Sequence, residues 1–176
     1  MTTTTDPTTA KEVALAAFQG AIDRDPDRIV RRAHPDDYVD DFVAIGEFSG
    51  RDEVRDFFTE LFAAFPDFEL SVERVVAEGD AVVVRWHADG TFSGARFQGI
   101  EPTGRRVRIR GCDFFEVEDG WIRRNTIFYD GASFARQVGM LPAKDSFGDR
   151  AMLRLFNAKV RLTRRFRRRA RASRRA

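Results

Sequence analysis

The sequence is short of the residue types on which several common site chemistries depend. It has a single cysteine, Cys112, and only two histidines. One cysteine excludes an internal disulfide, and so few Cys and His side chains do not form a zinc-binding cluster. The sequence also lacks a glycine-rich phosphate loop and any serine or cysteine in a nucleophile motif. We therefore expect neither a metal site nor a cofactor.

Long apolar runs are missing as well. No stretch reaches the ~18 apolar residues that a membrane-spanning helix requires, and the N-terminus has no apolar segment of the signal-peptide kind. Residues 1–8 are polar and are expected to be disordered. The expected location is the cytoplasm, since nothing in the sequence points to an oxidising compartment.

Phenylalanine is the residue type in excess, with 17 Phe against two Tyr. Because Phe adds apolar area without a polar group, this composition predicts a large apolar interior or pocket. An aromatic-rich core without a cavity would have the same composition, so both alternatives stay open. A length of 176 residues suits one domain with a substantial core.

The formal net charge of +2 hides a strong asymmetry between the two parts of the chain. Residues 149–176 contain eleven Arg, one Lys and one Asp, a net charge of +11, which leaves 18 basic and 27 acidic residues, or −9, for residues 1–148. Apolar residues at roughly helical spacing, among them Met152, Leu155 and Phe156, predict a basic amphipathic helix and tail over residues 143–176.

Several partners suit this basic segment. It has the composition of helices that lie on an anionic membrane surface, which would make the protein peripheral to the membrane. The acidic body of the chain is a second possible partner, and a solvated tail that only aids solubility is a third alternative. Non-specific contact with nucleic acid also fits the charge, whereas specific nucleic-acid binding is not expected.

The rest of the chain predicts an α+β domain over residues 9–142. Thr9 and Glu12 form a capping-box pattern at the start of the first helix, and Asp119-Gly120 is a strong hairpin signal. The expected helices cover residues 9–25, 26–33, 50–65 and 130–138, and the expected strands cover residues 38–45, 68–77, 81–92, 105–118 and 121–129. Helices on one side of a curved antiparallel sheet form a cone with an interior cavity.

A series of short motifs follows in a characteristic order. They are Phe65-Pro66-Asp67-Phe68, Val75-Val76-Ala77-Glu78-Gly79-Asp80, Gly90-Thr91-Phe92-Ser93-Gly94, Pro102-Thr103-Gly104-Arg105, Phe115-Glu116-Val117-Glu118-Asp119-Gly120-Trp121-Ile122, Tyr129-Asp130 and Gln137-Val138-Gly139. Over residues 10–142 the chain resembles the SnoaL-like polyketide cyclase family, within the nuclear transport factor 2-like superfamily. The resemblance implies a cone whose helices pack across the concave sheet face. It leaves the reaction open, because that superfamily includes cyclases, ketosteroid isomerases, epoxide hydrolases, dehydratases and non-catalytic binding modules.

Asp113 is the first catalytic candidate. It shares one strand face with Gly111, Phe115 and other small or apolar residues, so its side chain is expected to point inward. A buried carboxyl has a raised pKa unless an arginine pairs with it, and such a group suits a general acid. The resemblance also places Asp113 at the position of the ketosteroid isomerase's acid. The alternative is a structural Asp, satisfied by arginine or backbone N–H groups.

Asp40 and Asp41 are the next candidates. The resemblance puts the general base of the isomerase on the strand before the long helix, where Asp41 or Asp40 lies. Adjacent strand residues face opposite ways, so at most one of them faces the pocket. Phe18 lies where the isomerase has its catalytic tyrosine. Because Phe donates no hydrogen bond, this departure argues against ketosteroid isomerase activity.

Other residues are predicted to contact a substrate. They are Phe18, Phe58, Phe62, Trp86, His87, Phe115, Tyr129 and Asp130. Asp130 also suits the N-cap of the last short helix. Cyclases of the family use a His–Asp pair, but their His lies nearer the Asp113 strand than His87 does.

Two function hypotheses remain. The first is a cofactor-independent enzyme that uses acid–base chemistry for isomerisation, cyclisation or hydration of a small hydrophobic substrate. The alternative is a non-catalytic ligand-binding or dimerisation module with a basic tail for membrane or partner contact. A homodimer is expected in either case, because the resemblance implies pairing through the outer sheet face.

Overall fold

The computed structural model describes residues 9–172. The predicted disorder of residues 1–8 lies outside the described residues. Within them, one six-stranded sheet carries helices on its concave face, which confirms the predicted α+β class. No helix of the described part is both long enough and apolar enough to cross a membrane.

The sheet has the strand order β2-β1-β6-β5-β4-β3. Its strands are β1 (Val39–Phe42), β2 (Gly46–Ser49), β3 (Glu69–Glu78), β4 (Ala81–Thr91), β5 (Arg106–Glu118) and β6 (Trp121–Tyr129). β1 runs parallel to β6 and every other neighbouring pair is antiparallel. The sequence does not predict β2, because its four residues are largely exposed and show no alternation of apolar and polar side chains.

The helices are α1 (Ala10–Ile22), α2 (Pro26–Ile29), α3 (Gly50–Ala64), α4 (Gly131–Gln137) and α5 (Phe147–Ala172). The predicted capping box begins α1: the Thr9 backbone N–H donates to Glu12 Oε2 at 2.8 Å, and the Glu12 N–H donates to Thr9 Oγ1 at 3.3 Å. A 3₁₀ turn, Val30–Arg32, completes the predicted second helix.

Aromatic side chains fill the space between α3 and the sheet. Phe42 of β1 lies with its ring centroid 4.5 Å from that of Phe57 of α3, and Phe57 lies 4.9 Å from Phe48 of β2. On the other side of the core, Phe18 of α1 meets Phe115 of β5 edge to face at 5.8 Å. These contacts hold α1 and α3 over the concave face, where they enclose a cavity instead of closing the cone completely.

Candidate active site: two buried carboxyls in an apolar cavity

The cone contains a cavity of about 270 Å³. Its wall is mostly apolar and comes from α1, α3, α4 and the inward faces of β1, β4, β5 and β6. The polar side chains in the wall include Tyr38, Asp40, Asp113 and Asn125, and Trp86 adds an indole N–H. A mostly apolar cavity with a few convergent polar groups is typical of a small-molecule site.

Asp113 lies on the inward face of β5, as its strand periodicity predicted, and its side chain is buried. Trp86 Nε1 donates to its Oδ1 at 2.7 Å, and Asn125 Nδ2 donates to its Oδ2 at 3.1 Å. Burial raises the pKa of the Asp113 carboxyl to about 7, although the hydrogen bonds from Trp86 and Asn125 act to lower it. The described residues include no arginine that pairs with Asp113.

The position of Trp86 depends on a glycine in the neighbouring strand. Trp86 of β4 and Gly111 of β5 are cross-strand partners. A Cβ atom on residue 111 would lie only 2.5 Å from Trp86 Cζ2, so no larger residue leaves room for this ring position. Gly111 therefore allows the indole N–H to reach Asp113.

Asp40 points into the same cavity from β1 and is 1% exposed. The Tyr38 hydroxyl donates to its Oδ1 at 2.7 Å. Burial is the main reason that the pKa of Asp40 is raised to about 7. The hydrogen bond from Tyr38 acts to lower this pKa, and the charge of Asp113 acts to raise it. The Asn125 side chain has a smaller lowering effect. Burial also raises the pKa of Tyr38 well above its usual value, so its hydroxyl keeps its proton.

Asn125 of β6 connects the two carboxyls. It is the β-ladder partner of Asp40 on one side and of Phe115 on the other. Its amide influences both carboxyls, but only the contact with Asp113 has the geometry of a hydrogen bond. Its Oδ1 is buried and accepts no hydrogen bond from the described residues. The site thus holds an unused acceptor beside two buried carboxyls.

Asp41 points to the opposite side of β1. Arg124 Nη2 lies 2.8 Å from Asp41 Oδ2 and 2.5 Å from Glu47 Oε1, which forms an ion-paired cluster on the outer sheet face. The sequence left open which of the adjacent aspartates faces the cavity. The structure places Asp40 inside and Asp41 outside, because strand residues alternate and Asp40 lies on the same face as the buried Phe42.

Five of the eight predicted substrate contacts line the cavity: Phe18, Phe58, Trp86, Phe115 and Tyr129. The other three do not. His87 lies on the outer sheet face with Nδ1 3.2 Å from Glu73 Oε1, because it alternates with the inward Trp86. Phe62 is buried against Phe68 instead, with ring centroids 5.4 Å apart.

Asp130 is the third residue outside the cavity wall. Its Oδ1 accepts the Ser133 backbone N–H at 2.9 Å, so it caps α4, which is the alternative role that its sequence position predicted. Tyr38 and Asn125 also line the cavity, and neither was among the predicted site residues. Tyr38 precedes Asp40 by two residues in the predicted strand 38–45, and this spacing is the one sequence signal that points to it.

The model of the SnoaL-like polyketide cyclase family matches residues 12–138. Among solved structures, a candidate SnoaL-like polyketide cyclase from Jannaschia sp. CCS1 is 25% identical with a TM-score of 0.67, and the match covers 81% of this chain and 100% of that one. AclR, a candidate hydroxylase from Streptomyces galilaeus, is 26% identical with a TM-score of 0.65, covering 76% and 87%.

IdmH from Streptomyces antibioticus, a candidate polyketide cyclase, shares the fold at 24% identity and a TM-score of 0.61, with 74% of this chain and 98% of that one covered. Among curated proteins, none matches this chain. The family model spans well over half of the residues, including Asp40, Asp113 and their hydrogen-bond partners. The chain therefore belongs to the SnoaL-like polyketide cyclase family.

Proposed function

We propose that the protein is an enzyme that moves protons on a small apolar carbonyl compound held in the cavity. The observation that carries this proposal is the pair of buried carboxyls, Asp40 and Asp113, whose pKa values are both raised to about 7. Neither forms an ion pair with the described residues. Carboxyls whose pKa lies near the working pH are suited to general acid–base catalysis.

The hydrogen bonds indicate how the two roles divide. Asp113 accepts an N–H on each oxygen, from Trp86 and Asn125, and such donors favour the ionised form. The resulting charge raises the pKa of Asp40 and keeps a proton there. We therefore assign the base to Asp113 and the acid to Asp40, the reverse of what the resemblance implied.

The proposed reaction begins with removal of a proton from the carbon beside the substrate carbonyl. Asp113 takes that proton, while the Asp40 O–H gives its proton to the carbonyl oxygen, so an enol forms without net change in charge. If the substrate carries a second double bond conjugated with the enol, Asp113 returns its proton to the far carbon, the enol O–H returns its proton to Asp40, and the substrate is isomerised. If it carries a second carbonyl group, the enol carbon attacks that carbonyl and closes a ring, while Asp113 protonates the new alkoxide oxygen and the enol O–H returns its proton to Asp40. The apolar wall excludes water, and this strengthens the hydrogen bonds that Asp113 and Asp40 make in the cavity.

The size and lining of the cavity favour a compact aromatic or alicyclic substrate. About 270 Å³ is at the small end of ligand pockets. The unused Asn125 Oδ1 favours a substrate that also carries a hydroxyl or N–H group, because a buried acceptor without a donor is costly.

Deuterium exchange tests the proposal, because it follows the first proton transfer whatever the final product is. A panel of small cyclic ketones and 1,3-diketones is incubated in D₂O with the protein, and loss of the proton beside the carbonyl is followed by NMR. We expect Asp113→Asn and Asp40→Asn each to slow exchange by about 10²–10⁴-fold. Asp41→Asn is the matched control, since it removes the neighbouring carboxylate from the outer face, and it should exchange at the wild-type rate.

A non-catalytic ligand-binding role is the second candidate. One observation favours it: both oxygens of Asp113 already have protein donors, which also suits a structural carboxyl. If panel ketones bind, as measured by calorimetry, but exchange at the rate of buffer alone, this second interpretation replaces the first.

A further inference from the structure

Helix α5 leaves its apolar side chains uncovered. Leu153, Leu155, Phe156 and Leu162 are all at least half exposed, up to 74% for Leu155. Four exposed large apolar residues on one helix are costly in water, and they mark an interaction surface. The cavity does not use this helix, because none of the lining residues belongs to it.

A cationic stripe runs along the same helix. Arg150, Arg154, Arg161 and Arg164 are spaced by four, seven and three residues, so they share one side. Met152, Leu155, Phe156 and Leu162 lie on the opposite side, with Lys159 among them, whereas Leu153 lies beside the arginines. Over residues 150–164, the helix therefore presents a mainly basic side opposite a mainly apolar one.

We propose that α5 binds an anionic membrane surface and lies in its plane. A lipid surface can bind both sides of the helix. Leu155, Phe156 and Leu162 are buried at the acyl boundary, and the arginines pair with the anionic headgroups. A nucleic acid would neutralise the arginines but leave the apolar side exposed. The acidic body of the chain would also neutralise the arginines but leave the apolar side exposed, since the described body does not cover these apolar residues.

The position of the cavity mouth gives this binding a consequence for the substrate. Ile45 and Met140 line the cavity and are 40% and 59% exposed, so they lie where it opens to the surface. Met140 precedes α5 by a short connection. Binding of α5 would hold this apolar opening near the lipid. Resting on the proposed function, we infer that the substrate is an apolar carbonyl compound that dissolves in the bilayer.

Vesicle co-sedimentation of the full chain tests the membrane proposal. Vesicles of phosphatidylcholine with about a third phosphatidylglycerol are compared with pure phosphatidylcholine at moderate salt. We expect binding to the anionic vesicles alone. The double variant Leu155→Ser/Phe156→Ser should bind about tenfold more weakly or worse, because both side chains enter the acyl boundary.

Two further variants separate charge from apolar area. Arg154→Gln/Arg161→Gln should also weaken binding, by roughly fivefold to tenfold per charge near the surface. Val76→Ser is the matched control, because Val76 is an exposed apolar residue on the sheet, away from α5. It should bind as the wild type does. Circular dichroism checks that each variant keeps its helix content.

The proposal is overturned if Leu155→Ser/Phe156→Ser binds anionic vesicles as tightly as the wild type. It is also overturned if the wild type does not co-sediment with the anionic vesicles and binds a single-stranded oligonucleotide instead. Either outcome leaves the deuterium-exchange result untouched. Conversely, loss of the proposed function would show as absent exchange in a protein that still co-sediments with vesicles, so the two failures are distinguishable.

Discussion

At the scale of single residues, the site depends on how each carboxyl is held. Asp113 has two N–H donors, and Asp40 has the Tyr38 hydroxyl as its hydrogen-bond donor. Both are buried, which raises both pKa values, and the charge of Asp113 adds to the cost of ionising Asp40. The pair therefore stays partly protonated at neutral pH, where an ordinary aspartate is fully ionised.

This pair makes the stability of the protein depend on pH. Both folded-state pKa values, about 7, are above the unfolded value of about 4. Between these two pH values the folded state thus binds more protons than the unfolded state. The protonated pair therefore contributes stability that is fully present below about pH 4 and is lost as pH rises to about 7. Relative to Asp40→Asn/Asp113→Asn, the wild type should lose free energy of unfolding between pH 5 and pH 8.

Urea denaturation of both proteins at the two pH values measures this difference. Asp41→Asn is again the control, because Asp41 is ion-paired on the outer face, and it should follow the wild type. An identical pH dependence in the wild type and the double variant would mean that the pair is not protonated in the folded state.

Gly111 is a second residue whose replacement has a defined consequence. In Gly111→Ala, the new Cβ would lie 2.5 Å from both Trp86 Cζ2 and the Phe128 carbonyl oxygen. We expect a loss of about 1–3 kcal/mol in stability from overpacking, and a shift of Trp86 fluorescence as the indole moves from Asp113. Cys112→Ala, at the adjacent outward position, should change neither. An unshifted emission spectrum in Gly111→Ala would contradict this role.

At the scale of elements, the site is assembled by two pairings of β6. Its parallel pairing with β1 brings Asp40 beside Asn125, and its antiparallel pairing with β5 brings Asn125 near Asp113. α1 then covers the cavity with Phe18. The position of α1 depends in turn on its close approach to α2.

Gly20 permits that approach. A Cβ on residue 20 would lie 2.6 Å from the Ile29 backbone N, and backbone cannot rotate out of the way as a side chain can. Within an isolated helix, Gly→Ala stabilises by roughly 1 kcal/mol. Here we expect the collision to dominate, so that Gly20→Ala destabilises by about 1–3 kcal/mol or more in thermal unfolding. Lys11→Ala, on the exposed start of α1, is the control, and it should leave the stability almost unchanged. If Gly20→Ala were instead more stable than the wild type, α1 and α2 would pack less closely than the structure shows.

At the scale of the whole molecule, we expect the cavity and the basic helix to be separable. All the lining residues and the family match lie before α5. The acidic body, with its net charge of −9 over residues 1–148, therefore contains every described residue that lines the cavity. The homodimer stays a prediction, and light scattering of the full chain measures it.

A chain that ends at residue 146 tests this separation. We expect it to fold and to keep the wild-type rate of deuterium exchange, while it loses binding to anionic vesicles. The contact between Arg136 and the buried Asp149 would be lost, with Nη2 and Oδ1 at 3.8 Å. Because Arg136 is 30% exposed and the two atoms are 3.8 Å apart, this pair contributes little, about 1 kcal/mol at most. Loss of exchange in the shortened chain would show that α5 supports the cavity.

The local features of this protein were determined by the sequence. The capping box of α1, the bounds of β6 and the inward side of Asp113 follow from spacing within a few residues. So does the rule that Asp40 and Asp41 face opposite ways. Each of these depends on the period of one element, which neighbouring residues encode directly.

What only the tertiary structure decided is which distant residues meet. Trp86 and Asn125 become partners of Asp113 through the pairings of β5 with β4 and β6, and Asp40 meets Asn125 through the pairing of β1 with β6. The parallel alignment of β1 with β6 placed Asp40, not Asp41, in the cavity. The cavity itself arises because the phenylalanines pack against α1 and α3 without filling the cone. Register and packing between elements are properties of the assembled fold, and so no local pattern in the sequence contains them.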